Sequence, residues 1–117
     1  MRTDNQNTWQ LRSKLWLEVN GHPVIGEGRM AMLEAIDRHG SIKQASLETG
    51  IAYRKMRGAI REMESILGRS MVMAFRGGKD QGGANLTAEA HELMAFYTKL
   101  ADSLQKEMDT RFQEFFG

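Results

Sequence analysis

Cysteine is absent from this chain, which excludes disulfides, cysteine-based zinc sites and thiol catalysis. Proline occurs once, at Pro23, so the chain carries almost no fixed helix breakers. No apolar run approaches the roughly 18 residues that a membrane-spanning helix needs. The N-terminal stretch "MRTDNQNTWQ" is polar and lacks the apolar core of a signal peptide, so the expected compartment is the cytoplasm of a microbe. With 117 residues, 41% hydrophobic and 26% charged, the chain is sized for one globular domain with a real core. Net charge is also small, at +1, but it is unevenly spread. Residues 50–79 carry seven basic side chains against Glu62 and Glu64, a local balance of +5, while residues 87–117 sum to −3. A basic middle with an acidic tail points to a polyanion-facing surface backed by a separate element.

Along the chain, "KLWLEV" (14–19) alternates Leu15, Leu17 and Val19 with Lys14, Trp16 and Glu18, the pattern of a half-buried strand. Asn20-Gly21 then signals a two-residue hairpin turn, and "HPVI" returns as an edge strand, since Pro23 cannot donate to a ladder. Gly26 and Gly28 break the strand. "RMAMLEAIDRHG" predicts a first helix with Met30, Met32, Leu33 and Ile36 inward and Gly40 as its stop. Ser41 and Gln44 form a capping box for a second helix, whose inner face takes Ile42, Ala45 and Leu47 and which ends at Gly50. The third helix, about residues 52–67, buries Met56, Ile60, Met63 and Leu67. Its other side carries Tyr53, Arg54, Arg57 and Arg61, of which Tyr53, Arg57 and Arg61 stand above one another at intervals of four.

"SMVMAF" (70–75) suits a strand, with "ANL" returning after the glycine-rich "RGGKDQGG". A long helix over 87–116 follows, with Thr87 as N-cap and Glu89 at the positive dipole end. Its stripe runs Ala90, Leu93, Tyr97, Leu100 or Ala101, Leu104 and Met108 into Phe112, Phe115 and Phe116; the spacing of Tyr97, Ala101, Leu104 and Met108 is that of a coiled-coil seam, broken by Arg111. Such a helix is roughly 45 Å long, more than one small domain covers alone.

Three chemistries fail on spacing. A P-loop needs its Lys and hydroxyl after the last glycine, but Lys79 precedes Gly82 and Gly83, and no parallel βαβ unit surrounds the glycines as a dinucleotide fold requires. "HELMA" (91–95) starts like a zinc-protease helix but has Ala95 where the second ligand belongs, and His22, His39 and His91 share no helical spacing. Nine methionines at helical spacing read as core filler rather than as a thioether metal site. What remains is a short capped helix, a tight glycine turn and a helix with aromatic and basic residues on its exposed N-terminal half. That is a helix-turn-helix, in which the first helix abuts phosphates, here through Ser41, Lys43 and Gln44, and the second enters the major groove. Arg54, Lys55 and Arg57 lie where base edges are met, and Arg61 where a phosphate is. Arg76 and Lys79 bring charge to the glycine loop. A solvated basic face is the bland reading of the same helix. The capping box, the turn and the charge segregation all favour DNA over it.

"GSIKQASLETGIAYRKMRGAIREME" followed by "RGGKDQGGANLT" resembles the N-terminal DNA-binding domain of the ModE-type molybdate-responsive transcription regulators, relatives of the LysR-type winged helices. The likeness runs from about Gly28 to Leu100, and its most specific pieces are "GSI.Q", "GI.Y", "AI.EM" and "GGK..GGA.LT". It implies a mainly α fold with small β elements: a winged helix-turn-helix over residues 1–86 with an N-terminal hairpin, then a dimerisation helix over 87–117. The seam would use Leu93, Tyr97, Leu100, Ala101, Leu104, Met108 and Phe112, assisted by the N-terminal strand region. It further implies a homodimer without catalysis on a palindromic operator in double-stranded DNA, near genes for molybdate uptake or molybdoenzymes. Tyr53, Arg54, Lys55 and Arg57 fall on the front of the recognition helix, and Arg76 and Lys79 on the wing. An aromatic residue is usual at the position of Arg57, so the operator sequence does not transfer.

In two-part members molybdate is held by a C-terminal module of small β-barrels. This chain stops after the long helix, so no cofactor is expected unless a further domain or partner supplies the site. A shortened member and a piece of a longer regulator both fit. Two other classes stay open: an interaction module that docks a partner through the long amphipathic helix, and a small molybdate carrier.

Overall fold

The computed structural model describes residues 7–75 and 83–116. In chain order it contains β1 (Trp16–Val19), β2 (His22–Gly26), α1 (Glu27–His39), α2 (Ile42–Thr49), α3 (Tyr53–Leu67), β3 (Val72–Phe75), β4 (Gly83–Leu86) and α4 (Ala88–Phe116). Each strand pair, β1 with β2 and β3 with β4, is its own antiparallel sheet. The architecture is mainly α: a three-helix unit, α1 to α3, flanked by two hairpins and extended by a long helix. It is a winged helix-turn-helix.

The first hairpin turns at Asn20 and Gly21, both with positive φ (51° and 81°), as a tight two-residue connection requires. Pairing starts only at Trp16, opposite Gly26, so the strand is two residues shorter than its alternating pattern. Gly28 is not a break. The chain passes from strand to helix at Gly26, and Gly28 sits in the first turn of α1, where backbone N–H groups have no intrahelical partner to lose. Leu47 is a second correction: it is 69% exposed, because it lies about 200° around the helix from Ala45, which faces the core.

Ile25, Leu33, Ile36, Met56, Met63 and Met71 are almost fully enclosed and join α1, α3 and the two hairpins into one core. Each contributes roughly 1.5–3 kcal/mol relative to an exposed position. Met30 and Met32 are buried as well, so five of the nine methionines serve as core filler, while Met73 on β3 is exposed.

Polar bonds fix the joints. After α3, the Glu64 carboxylate accepts from the backbone N–H of Met71 (2.8 Å) and Val72 (3.3 Å), which closes the turn into β3. Thr87 caps α4: its hydroxyl accepts from Ala90 N (3.1 Å) and donates to Ser70 O (2.7 Å), while its own N–H donates to Met71 O (3.0 Å). Thr87→Val keeps the shape and removes both hydroxyl bonds at a buried site. It is expected to cost about 1–2 kcal/mol. Urea denaturation should show a lower midpoint at unchanged slope; an unchanged midpoint would mean that water replaces the hydroxyl at no cost.

α4 has 29 residues and begins in the core, with Ala90 and Tyr97 buried. It then runs beyond it. The radius of gyration is 18.1 Å and the longest extent 60 Å, against about 13 Å for the radius of a compact chain of this length. The N-terminal segment follows α4 outward. Tyr97 Oη donates to Leu15 O (2.8 Å) and Gln105 Nε2 to Leu11 O (3.2 Å). At the far end the ring of Trp9 lies 5.3 Å from that of Phe116, which stacks on Phe112 at 4.6 Å. Burial, reinforced by the Glu27 carboxylate, pushes the Tyr97 phenol above its ordinary range.

Candidate nucleic-acid interface

α2 and α3 form the helix-turn-helix, and local bonds set their geometry. Ser41 has extended backbone and its Oγ accepts from Gln44 N at 3.1 Å, so the cap expected from sequence is in place. Lys43 and Gln44 are exposed on the first turn of α2. Gly50 ends the helix at φ 73°, a left-handed conformation that costs a side chain energy. Ser46 and Thr49 then lock the turn. Ser46 Oγ donates to Ile51 O (2.5 Å); Thr49 Oγ1 donates to Ala45 O (2.8 Å) and accepts from Ile51 N (3.2 Å). Neither residue is among the site residues expected from sequence. Their signal was a pair of hydroxyl residues in the last turn before a terminal glycine.

The end of α2 is tied to the end of α1 by charge. Glu48 receives Arg38 Nε (3.1 Å) and Nη2 (2.6 Å) in a two-pronged pair, with His39 Nε2 at 3.2 Å. The Arg38 bonds, then His39, hold the Glu48 carboxyl below the usual carboxylate range. On α3, Glu62 pairs with Arg29 of α1 at 2.5 Å, and Arg29 also donates to Pro23 O and Val24 O. Glu64 is occupied by the α3–β3 turn. Both acids of the basic segment are thus engaged within the fold. The basic charge is left facing outward.

On the outer side of α3, Tyr53, Arg54, Lys55 and Arg61 are exposed and Arg57 is half-buried. Arg57 Nη1 donates to Tyr53 Oη at 3.3 Å, and its guanidinium lies 5.8 Å from the Tyr53 ring centre. The tyrosine holds the arginine against the helix, which reduces the rotamer freedom it would lose on binding. On β3, Met73 and Phe75 are exposed. Arg76 and Lys79, expected on the wing, lie outside the described residues. Among the described residues, no cluster of three or more His, Asp or Glu is placed to hold a metal, and no helix is long and apolar enough to cross a membrane.

This site can be set beside known proteins. No family model matches the chain. The molybdenum-pterin-binding protein MopA of Rhodobacter capsulatus is 32% identical over 102 residues, which are 87% of this chain and 38% of that one. The transcriptional regulator ModE of Yersinia pestis is 38% identical over 82 residues, 70% of this chain and 31% of the relative. The DNA-binding transcriptional dual regulator ModE of Escherichia coli is 37% identical over 81 residues, 69% and 31% of the two chains. The chain is a homologue of the N-terminal part of ModE. Among solved structures, ArgP from Mycobacterium tuberculosis aligns at a TM-score of 0.49 with 18% identity, over 73% of this chain and 30% of that one. The ModE homologue spans about a third of the length of the relatives it matches.

In this ModE homologue the seam residues expected on α4 divide into two groups. Tyr97 is buried in its own chain and bonded to Leu15; Ala101 packs against the core, and Phe112 stacks on Phe116. Leu93, Leu100 and Met108 are half-buried, and Leu104 is 37% exposed. The N-terminal segment thus covers the Tyr97 face of the helix within the chain. Phe96, absent from the expected seam, is 57% exposed.

Proposed function

We propose that this chain is the DNA-binding and dimer-forming part of a bacterial transcription regulator that serves molybdenum-related genes and carries out no catalysis itself. The observation that carries the reading is the outward face of α3. Tyr53, Arg54, Lys55, Arg57 and Arg61 stand on one accessible side of a helix that α2 and its locked turn present at an angle. The relatives support it: those with matching N-terminal parts are named as transcriptional regulators and as molybdenum-pterin-binding proteins.

In this reading α3 lies in the major groove, with Arg54, Lys55 and Arg57 toward base edges and Arg61 toward phosphate. The start of α2, at Ser41, Lys43 and Gln44, sits over the backbone, and Arg76 and Lys79 reach the neighbouring backbone from the wing. Two copies joined through α4 present their α3 helices about 34 Å apart, one helical turn of DNA, and so read a palindromic operator. The protein works in the cytoplasm. Molybdate acts on it only through a further domain or a partner that holds the oxyanion.

Selection of bound fragments from a genomic library, followed by titration of the winners at two salt concentrations, tests the proposal. Nanomolar binding with a steep salt dependence is expected; affinity no better than background would leave α4 as a docking element for another protein. Lys79→Ala is expected to weaken binding to selected and random DNA alike and to lower the salt slope by about one unit. An unchanged slope would take the wing out of the interface.

A further inference from the structure

Gly58 stands inside α3, well away from both ends of the helix. After proline, glycine is the least favourable residue in a helix interior, and a folded chain has use for it there for few physical reasons. One is a left-handed backbone, but Gly58 is not among the glycines with positive φ. Another is close approach within the fold, but a Cβ on Gly58 would meet no atom of the described residues within 4 Å. The reason left is the approach of a surface from outside. Gly58 lies about 200° around the helix from Met56 and from Ile60, both of which enter the core, so it sits at the middle of the outward face. Arg54, Gly58, Arg61 and Ser65 are all exposed and follow one another at intervals of four, three and four, along a single line. Lys55 and Arg57 flank that line on its two sides. The outward face is a patch of bare backbone bordered by four basic side chains.

Resting on the DNA reading above, we infer that α3 comes closest to the base edges of the major groove at Gly58, and that the missing side chain sets how deep the helix sits. The major groove is about 12 Å wide and a helix with its side chains is about 10–12 Å across, so the fit leaves little slack. A Cβ would stand ~1.5 Å off the backbone. Hydrogen bonds to bases tolerate only about 0.5 Å of donor–acceptor displacement, so a lift of that size takes fixed donors out of range. Arg57, held by Tyr53, is the donor least able to follow. Phosphate contacts through long, free side chains such as Arg61 adjust more easily. Gly58 is thus a positioning residue, acting through the base-reading arginines beside it.

Gly58→Ala should raise Tm by about 3–6 °C, because alanine is the best helix former and the position is open. The same variant should bind a selected operator about tenfold more weakly and change little on random DNA. Gly58→Leu should lose more than Gly58→Ala on the operator. A protein that melts higher and discriminates less well is what a purely structural role would not produce, since damage to the fold lowers both. Ser65→Ala strengthens the same line of the helix two turns further on and should leave the operator affinity unchanged. Unchanged operator binding by Gly58→Ala, or an equal loss on operator and random DNA, overturns the assignment and leaves the DNA reading standing. A loss for Ser65→Ala equal to that of Gly58→Ala overturns it too, by assigning the effect to a stiffer helix. Failure of the unaltered chain to bind any selected fragment overturns both.

Discussion

Arg57→Ala should lose about 1–3 kcal/mol of binding on a selected operator and little on random DNA. The expectation rests on position and on preparation. Arg57 is one turn into α3, beyond the residues that first meet the groove, and it is held by Tyr53 through a bond to the phenol oxygen and through ring contact. A guanidinium fixed in this way can present two parallel donors to guanine O6 and N7 with little further ordering. Lysine has a point charge in place of the fork, so Arg57→Lys should recover nonspecific affinity and not discrimination. Tyr53→Phe removes the hydroxyl and keeps the ring; it should cost less than Arg57→Ala and in the same direction. Fluorescence anisotropy on the selected fragment and on a scrambled one, at a single salt concentration, reads all three. Equal losses on both fragments for Arg57→Ala would make Arg57 a phosphate contact.

Gly83→Ala should destabilise the fold by about 2–3 kcal/mol and lower Tm by roughly 8–15 °C. A Cβ on Gly83 would stand 2.6 Å from the carbonyl oxygen of Gly40 and would also run into the ring of Phe75. Phe75 is partly exposed and can swing away. Gly40 cannot: it is the left-handed cap of α1 at φ 62°, it directly precedes Ser41, and its oxygen accepts from Ala84 N at 2.9 Å. The added methyl must therefore push β4 off the α1–α2 joint, where the helix-turn-helix begins. DNA affinity should fall along with stability. Thermal melts of Gly83→Ala and of Gly83→Ala combined with Phe75→Ala separate the two collisions. Full recovery in the double variant would assign the effect to the ring instead of the backbone.

The parts of the fold legible from sequence are those written within a few residues. The Ser41 cap, the stops at Gly40 and Gly50, the Asn20-Gly21 turn and the Thr87 cap each need only a side chain and a backbone group three to five positions away. The buried row Met56, Ile60 and Met63 is legible for a similar reason, since helical period places it whatever the surroundings. Leu47 shows where that reasoning stops: an apolar residue on a helix of eight is only a candidate for burial, and the direction of Ala45 decided against it.

The composition and spacing by themselves determined that the chain is a helical domain without thiol chemistry, that its basic charge gathers on the third helix, and that a long amphipathic helix follows. Only the tertiary structure decided what those pieces leave free. Glu62 is taken by Arg29, thirty-three positions away in sequence, and Glu64 by the turn into β3, so the two acids that would have diluted the basic face are withdrawn from it. The N-terminal segment reaches α4 across eighty-two positions at Leu15 and ninety-four at Leu11, and in doing so chooses which side of that helix stays open. Periodicity ranks the faces of an isolated helix by their apolar content. Which of them meets its own chain and which is left for another depends on contacts between distant segments, and no local pattern encodes those.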